Sequence, residues 1–232
     1  MKKFLALLVM MLLFVSAAFA GETAPASVQV YVTISDDTGA LVMAYKAITV
    51  TDADADGVLT INDALIAAHA AQHEQGADAY AAAMSEYGLS MTKLWGVENG
   101  GSYGYYLNNA SAWSLLDPVT EGDHVKAYAY TDLVAWGDTY CYFDANTVSA
   151  AVDADVTLAL SAAGYDASWN PVTLPVAGAV VTINGEKSAF ATDENGIVTL
   201  HFTEAGEYVI SAVSDTQVLV APVCIVTVSA AQ

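Results

Sequence analysis

Asp52, Asp54, Asp56, Thr60 and Asp63 stand at positions 1, 3, 5, 9 and 12 of a twelve-residue stretch, Asp52-Ala-Asp-Ala-Asp-Gly-Val-Leu-Thr-Ile-Asn-Asp63. Every one of those side chains offers oxygen. Gly57 falls at position 6, where a metal loop turns sharply, and Val58 at position 7, where only a backbone carbonyl is needed. Leu59 at position 8 is apolar and suited to packing beneath the loop. A hard divalent cation takes six to eight oxygens, so this spacing points to Ca2+ in an EF-hand-like loop. Three aspartates within five residues repel one another, and a bound cation removes that repulsion. Aspartate at position 12 is shorter than the usual glutamate, which predicts weaker binding than in a high-affinity loop.

A second group of residues suits recognition. Trp95, Tyr103, Tyr105, Tyr106, Trp113 and Trp136 make the middle of the chain aromatic. Core packing accounts for part of them, and the remainder could stack on a sugar, a corrinoid or a peptide. Tyr105, Asn108, Trp113 and Trp136 are the expected ligand contacts. Trp113 lies among small and polar residues, so it either folds back over the core or faces a partner. Tyr105 and Tyr106 are adjacent in a strand and face opposite sides of it. His69, His73 and Glu74 fall within little more than a helical turn, but no HExxH order or third ligand accompanies them. No nucleophile elbow, phosphate loop or CxxC is present, so no enzyme is expected.

The elements that hold these residues follow an N-terminus of export type. Lys2 and Lys3 precede an apolar run, Phe4 to Val15, and Ala18-Phe-Ala20 fits a cleavage site. Residues 1–20 are therefore expected to be a signal peptide, with no direct membrane insertion after cleavage. Its loss leaves 212 residues and moves the formal charge from −20 to −22, since Lys2 and Lys3 leave with it. The chain has no arginine. That composition excludes nucleic acid as a partner, because phosphate binding needs clustered Lys and Arg. Cys141 and Cys224 could pair after export, or each could be a small buried apolar residue.

Alternation at Val28, Val30, Val32 and Ile34 predicts a strand, and Leu41 to Val50 its return partner. Asp63 to Gln75 is alanine-rich and favours a helix. Tyr80, Ala83, Met84 and Tyr87 repeat at helical spacing, predicting a second helix that ends at Gly88. Strands are expected again at Tyr103 to Leu107 and His124 to Tyr130. After Val152 only short strands recur, with Asn184-Gly185 and Asp193-Glu-Asn-Gly196 as turn signals. This order predicts an α+β domain over residues 21–150, followed by an all-β sandwich over residues 151–232.

Three stretches resemble known families. The loop from Asp52 to Asp63, with the following Ala-Leu-Ile, is similar to the calcium loop of dockerin domains, although dockerins carry two such repeats and this chain carries one. Tyr103-Gly-Tyr-Tyr-Leu-Asn-Asn109, followed by Val119-Thr-Glu-Gly-Asp-His-Val125, resembles bacterial domains related to the C-terminal domain of transcobalamin. That resemblance implies a β-grasp-like α+β fold. Thr192-Asp-Glu-Asn-Gly-Ile-Val-Thr-Leu200 and Glu204-Ala-Gly-Glu-Tyr-Val-Ile210 resemble bacterial immunoglobulin-like surface modules. The expected function is that of a secreted or cell-surface, calcium-binding, non-enzymatic adhesion or binding protein, with an extracellular ligand or surface protein as partner. A carrier of a corrinoid or another small ligand, and a structural subunit of an extracellular assembly, are the alternatives.

Overall fold

The computed structural model describes residues 27–230, so the expected signal peptide lies outside the described residues. Strand β1 (Val28–Ser35) buries Val28, Val30, Val32 and Ile34 on one face, as their alternation requires. Thr33 and Ser35 are buried too. The reason is that β1 is internal: β2 (Leu41–Val50) pairs antiparallel on one side and β7 (His124–Ala129) parallel on the other. The sheet runs in the order β2-β1-β7-β5-β6, with β5 at Tyr103–Leu107 and β6 at Ala110–Ser111. One helix, α1 (Ile61–Gln72), packs on β1 and β2 through Ala64, Leu65 and Ala68.

The stretch Tyr80 to Tyr87 is not helical. It forms β3 (Ala81–Ser85), which turns back into β4 (Gly88–Lys93) as a separate two-stranded sheet. Gly88 takes a φ of +102°, open to glycine and strained for other residues. The alanines there favour helix as isolated residues, but propensity is a weak preference that tertiary pairing overrides.

Strands β8 (Thr139–Phe143), β10 (Asp155–Tyr165), β11 (Pro171–Pro175), β14 (Ile197–His201) and β16 (Leu219–Val220) form one further sheet around β10. Strands β9 (Thr147–Ala151), β12 (Val180–Ile183), β13 (Glu186–Ala191), β15 (Gly206–Val213) and β17 (Cys224–Ser229) form another, in the order β13-β12-β15-β17-β9. Phe143, Leu158 and Leu160 of the first meet Val181, Ile210 and Val226 of the second in a shared core, so the two sheets face each other. Strands β8 and β9, which begin before residue 150, belong to these sheets.

The α+β β-grasp-like class therefore does not hold. The described residues are 50% strand and 8% helix, with the strands distributed over several sheets. The physical source of the difference is the second helix that becomes a hairpin, together with β8 and β9, which begin before the expected all-β part. Cys141 and Cys224 are both buried free thiols. Burial pushes each thiol up to about 12, and Cys141 Sγ donates 3.1 Å to the Val220 carbonyl.

One buried cation ties β7 to β8. Lys126 Nζ donates 3.1 Å to the Cys141 carbonyl and sits 4.7 Å over the Tyr140 ring. Burial holds its ammonium down at about 8. Tyr106 stacks on Tyr140 beside it, with ring centroids 3.4 Å apart.

Candidate metal centre and the adjoining aromatic face

The aspartate loop leaves β2 and ends in the first turn of α1. Thr60 caps the helix: its hydroxyl accepts from the Asp63 amide at 3.3 Å, and Asp63 Oδ2 accepts from the Thr60 amide at 2.9 Å. This reciprocal pair satisfies two amides that a helix start leaves without partners. The Thr60 hydroxyl also donates 2.7 Å to Asp63 Oδ2, and Asp63 Oδ1 accepts from the Ala53 amide at 3.0 Å. A buried aspartate thus joins both ends of the loop.

The rest of the loop folds around its own carboxylates. Asp52 Oδ2 accepts from the Gly57 amide at 2.8 Å, which holds the Asp52 carboxyl below the usual carboxylate range. Such a reach needs the sharp turn at Gly57, whose φ is +89°. The Asp54 carboxyl is shifted upward, first by desolvation, with the negative charges of Asp56 and Asp63 adding to it.

Carboxylate oxygens of Asp52, Asp54 and Asp63 all lie within 4.8 Å of one another. Two oxygens each about 2.4 Å from one calcium are at most about 4.8 Å apart, so the three fit a single ion of that kind. Oxygen-only donors suit a hard cation and disfavour a soft one. Asp56 is outside this trio, and its Oδ1 accepts from the Val58 amide at 2.8 Å. Thr60 spends its hydroxyl on the helix cap, while the Val58 side chain in mid-loop is exposed. Asp52, Asp54 and Asp63 would hold the ion, which would supply charge neutralisation and a fixed loop conformation.

The histidines do other work. His69 is fully buried, with Nδ1 2.6 Å from the Leu65 carbonyl and Nε2 accepting from the Trp95 amide at 3.0 Å. Both ring nitrogens are occupied, which leaves neither for a metal. Burial lowers His69 to about 4.

The start of α1 also holds a second loop. The Ile61 amide donates 3.0 Å to the Asp117 carbonyl and the Asn62 amide 2.8 Å to the Leu115 carbonyl, while the Val119 amide donates 2.8 Å to the Leu59 carbonyl. The chain from Trp113 to Val119 is thereby laid across the end of the aspartate loop. Trp113 itself is 94% exposed. Its amide donates 2.7 Å to Asp117 Oδ2, so the backbone that presents it is anchored.

Trp113 and Tyr105 line one depression of about 310 Å3, together with Tyr87, Tyr103 and Ser114. Asn108 is not among its walls. It braces a turn instead, with Nδ2 donating 2.7 Å to Asp123 Oδ1 and Oδ1 accepting from the His124 amide at 2.9 Å. Trp136 also stands apart, 62% exposed, its indole N–H donating 3.3 Å to Ser102 Oγ. Tyr87 is one of the wall residues outside the expected contacts, because its spacing from Tyr80, Ala83 and Met84 reads as a helix. The signal that could have found it is the Glu86-Tyr87-Gly88 turn between two short runs of strand length.

No family model matches the sequence, and no curated protein matches it. Among solved structures, the chain is similar to the N-terminal four Ig domains of Dscam1 isoform 4.44, at 7% identity and a TM-score of 0.26 over 47% of this chain. It spans 23% of that structure's chain, less than a quarter of its length. Among the described residues no helix is long and apolar enough to cross a membrane.

Proposed function

We propose that this is a secreted, calcium-braced, non-enzymatic binding or adhesion protein of the extracellular space. The observation that carries the reading is Trp113, a large aromatic side chain almost fully exposed on an anchored loop. Exposing such a surface forgoes the free energy of burying it, so an aromatic face of this kind marks an interaction site. The calcium loop supports it from below, because the residues after Trp113 hang on the amides that follow Thr60. The export-type N-terminus and the acidic, arginine-free surface suit the extracellular side.

A cleft of about 600 Å3, walled by Leu41, Val42, Met43, Ala44 and Lys46 of β2 and by Val209 and Ser211 of β15, favours a second reading as a small-ligand carrier. Its size is that of small-molecule sites.

The test is adhesion of fluorescent beads carrying residues 21–232 to surfaces coated with polysaccharide, with cell wall or with matrix protein. In calcium, the beads are expected to stay on at least one surface, about tenfold more than beads carrying Trp113→Ala. EDTA should lower retention of the unsubstituted protein as well. Equal retention with and without the indole on every surface would reject this face as the binding site.

A further inference from the structure

The composition of the depression at Trp113 indicates what it binds. Two large rings stand at its rim, Trp113 at 94% and Tyr87 at 90% exposure. Each is carried on a turn closed by hydrogen bonds. The Tyr87 amide donates 3.1 Å to Ser85 Oγ, which donates 2.9 Å to the Gly88 carbonyl. On the other side the Leu116 amide donates 3.0 Å to Ser114 Oγ. The floor is fixed too: the Tyr103 hydroxyl lies 2.9 Å from the Val97 carbonyl and accepts from the Asn99 amide at 3.2 Å. A backbone fixed beforehand loses little conformational entropy when a ligand stacks on the rings it carries.

The walls between the rings are neutral. Ser90, Ser114 and Tyr105 contribute hydroxyls, and no charged side chain lines the depression. Lys93, the cation of β4, is paired 3.1 Å from Glu98. A formal charge of −20 on the chain and no lining cation leave nothing to attract a phosphate, sulfate or carboxylate. Aromatic faces matched with neutral hydroxyls suit a ligand with apolar C–H faces and many uncharged hydroxyl groups. We propose that the depression between Tyr87 and Trp113 is a binding site for neutral oligosaccharides. Its volume of about 310 Å3 takes one to two sugar rings of a longer chain.

This proposal rests on the binding reading above, and its test separates the two. Residues 21–232 are titrated in calcium with cellohexaose, xylohexaose, mannohexaose and oligogalacturonate, followed by calorimetry and by tryptophan fluorescence. At least one neutral hexasaccharide is expected to bind saturably, and oligogalacturonate is not. Trp113→Ala and Tyr87→Ala should each weaken binding about tenfold or more, with the melting temperature unchanged because both rings are exposed. Tyr165→Ala, an exposed aromatic outside the depression, should bind like the parent. Failure of all three neutral sugars overturns the proposal, as does undiminished binding by the double variant Tyr87→Ala, Trp113→Ala. If those sugars fail while bead adhesion still depends on Trp113, the sugar assignment alone falls. If adhesion is indifferent to Trp113, the binding reading falls with it.

Discussion

Asp63→Ala is expected to lower the unfolding free energy by about 3–5 kcal/mol, the larger end being reached in calcium. Three structural roles meet in this one buried carboxylate. Removing it takes the acceptor from the Thr60 amide and hydroxyl and from the Ala53 amide. Loss of a helix cap costs about 0.5–2 kcal/mol, and each buried donor left without an acceptor adds about 1–3 kcal/mol. The aspartate also supplies one of three carboxylates to the candidate metal centre. Asp63→Asn keeps one acceptor oxygen and loses the charge, so it should fall about midway. Urea unfolding with and without EDTA checks this. A loss under about 1 kcal/mol in EDTA would mean that the cap contributes little.

Acidification is expected to destabilise the protein by several kcal/mol between pH 6.5 and pH 4, in EDTA, before most carboxylates protonate. His69 is lowered to about 4 and His124 to about 3, in both cases first by desolvation. Unfolded histidine titrates near 6.5. Between the two values the unfolded chain binds more protons than the folded one, so stability rises with pH and is lost as pH falls. Each histidine contributes about 3 kcal/mol of loss by pH 4. The folded chain resists protonating them chiefly because both rings are buried, with the Lys126 charge adding to this at His124; at His69 the Leu65 carbonyl, 2.6 Å from Nδ1, pulls the other way, while Nε2 already accepts from the Trp95 amide. Urea midpoints measured across that range should slope steeply. They should flatten in His69→Gln, where the amide offers one donor and one acceptor in place of the ring. A flat parent profile down to pH 4.5 would contradict the neutral, buried state of both histidines.

The alternation of Val28, Val30, Val32 and Ile34 and the turn glycines were legible from residue type, because strand period and positive φ are local properties. The aspartate loop was legible for the same reason, since its donors lie within twelve residues. Pairing was not. The run from Tyr80 to Tyr87 has helical spacing, and only its partner β4 makes it a strand. Thr139–Phe143 gave little signal of its own, for it pairs with β10 and, in parallel, with β16, far along the chain. The lining of the aromatic depression was half legible for the same physical reason. Tyr105 and Trp113 stood out as residues, but Tyr87 joins them only through the hairpin, and Asn108 turned out to serve a turn.

Three aspartates of one loop are proposed to hold calcium and to brace the aromatic face. Calcium titration of residues 21–232 by calorimetry, paired with melting curves, tests this most directly. About one ion per chain is expected, with a melting temperature that rises with calcium by an amount equivalent to about 2.7 kcal/mol at a hundredfold excess over Kd. The double variant Asp52→Asn, Asp54→Asn should melt within a few degrees of the parent in EDTA. It should show neither heat nor shift on adding calcium. Absence of both signals in the parent at millimolar calcium, or their persistence in the double variant, would contradict it.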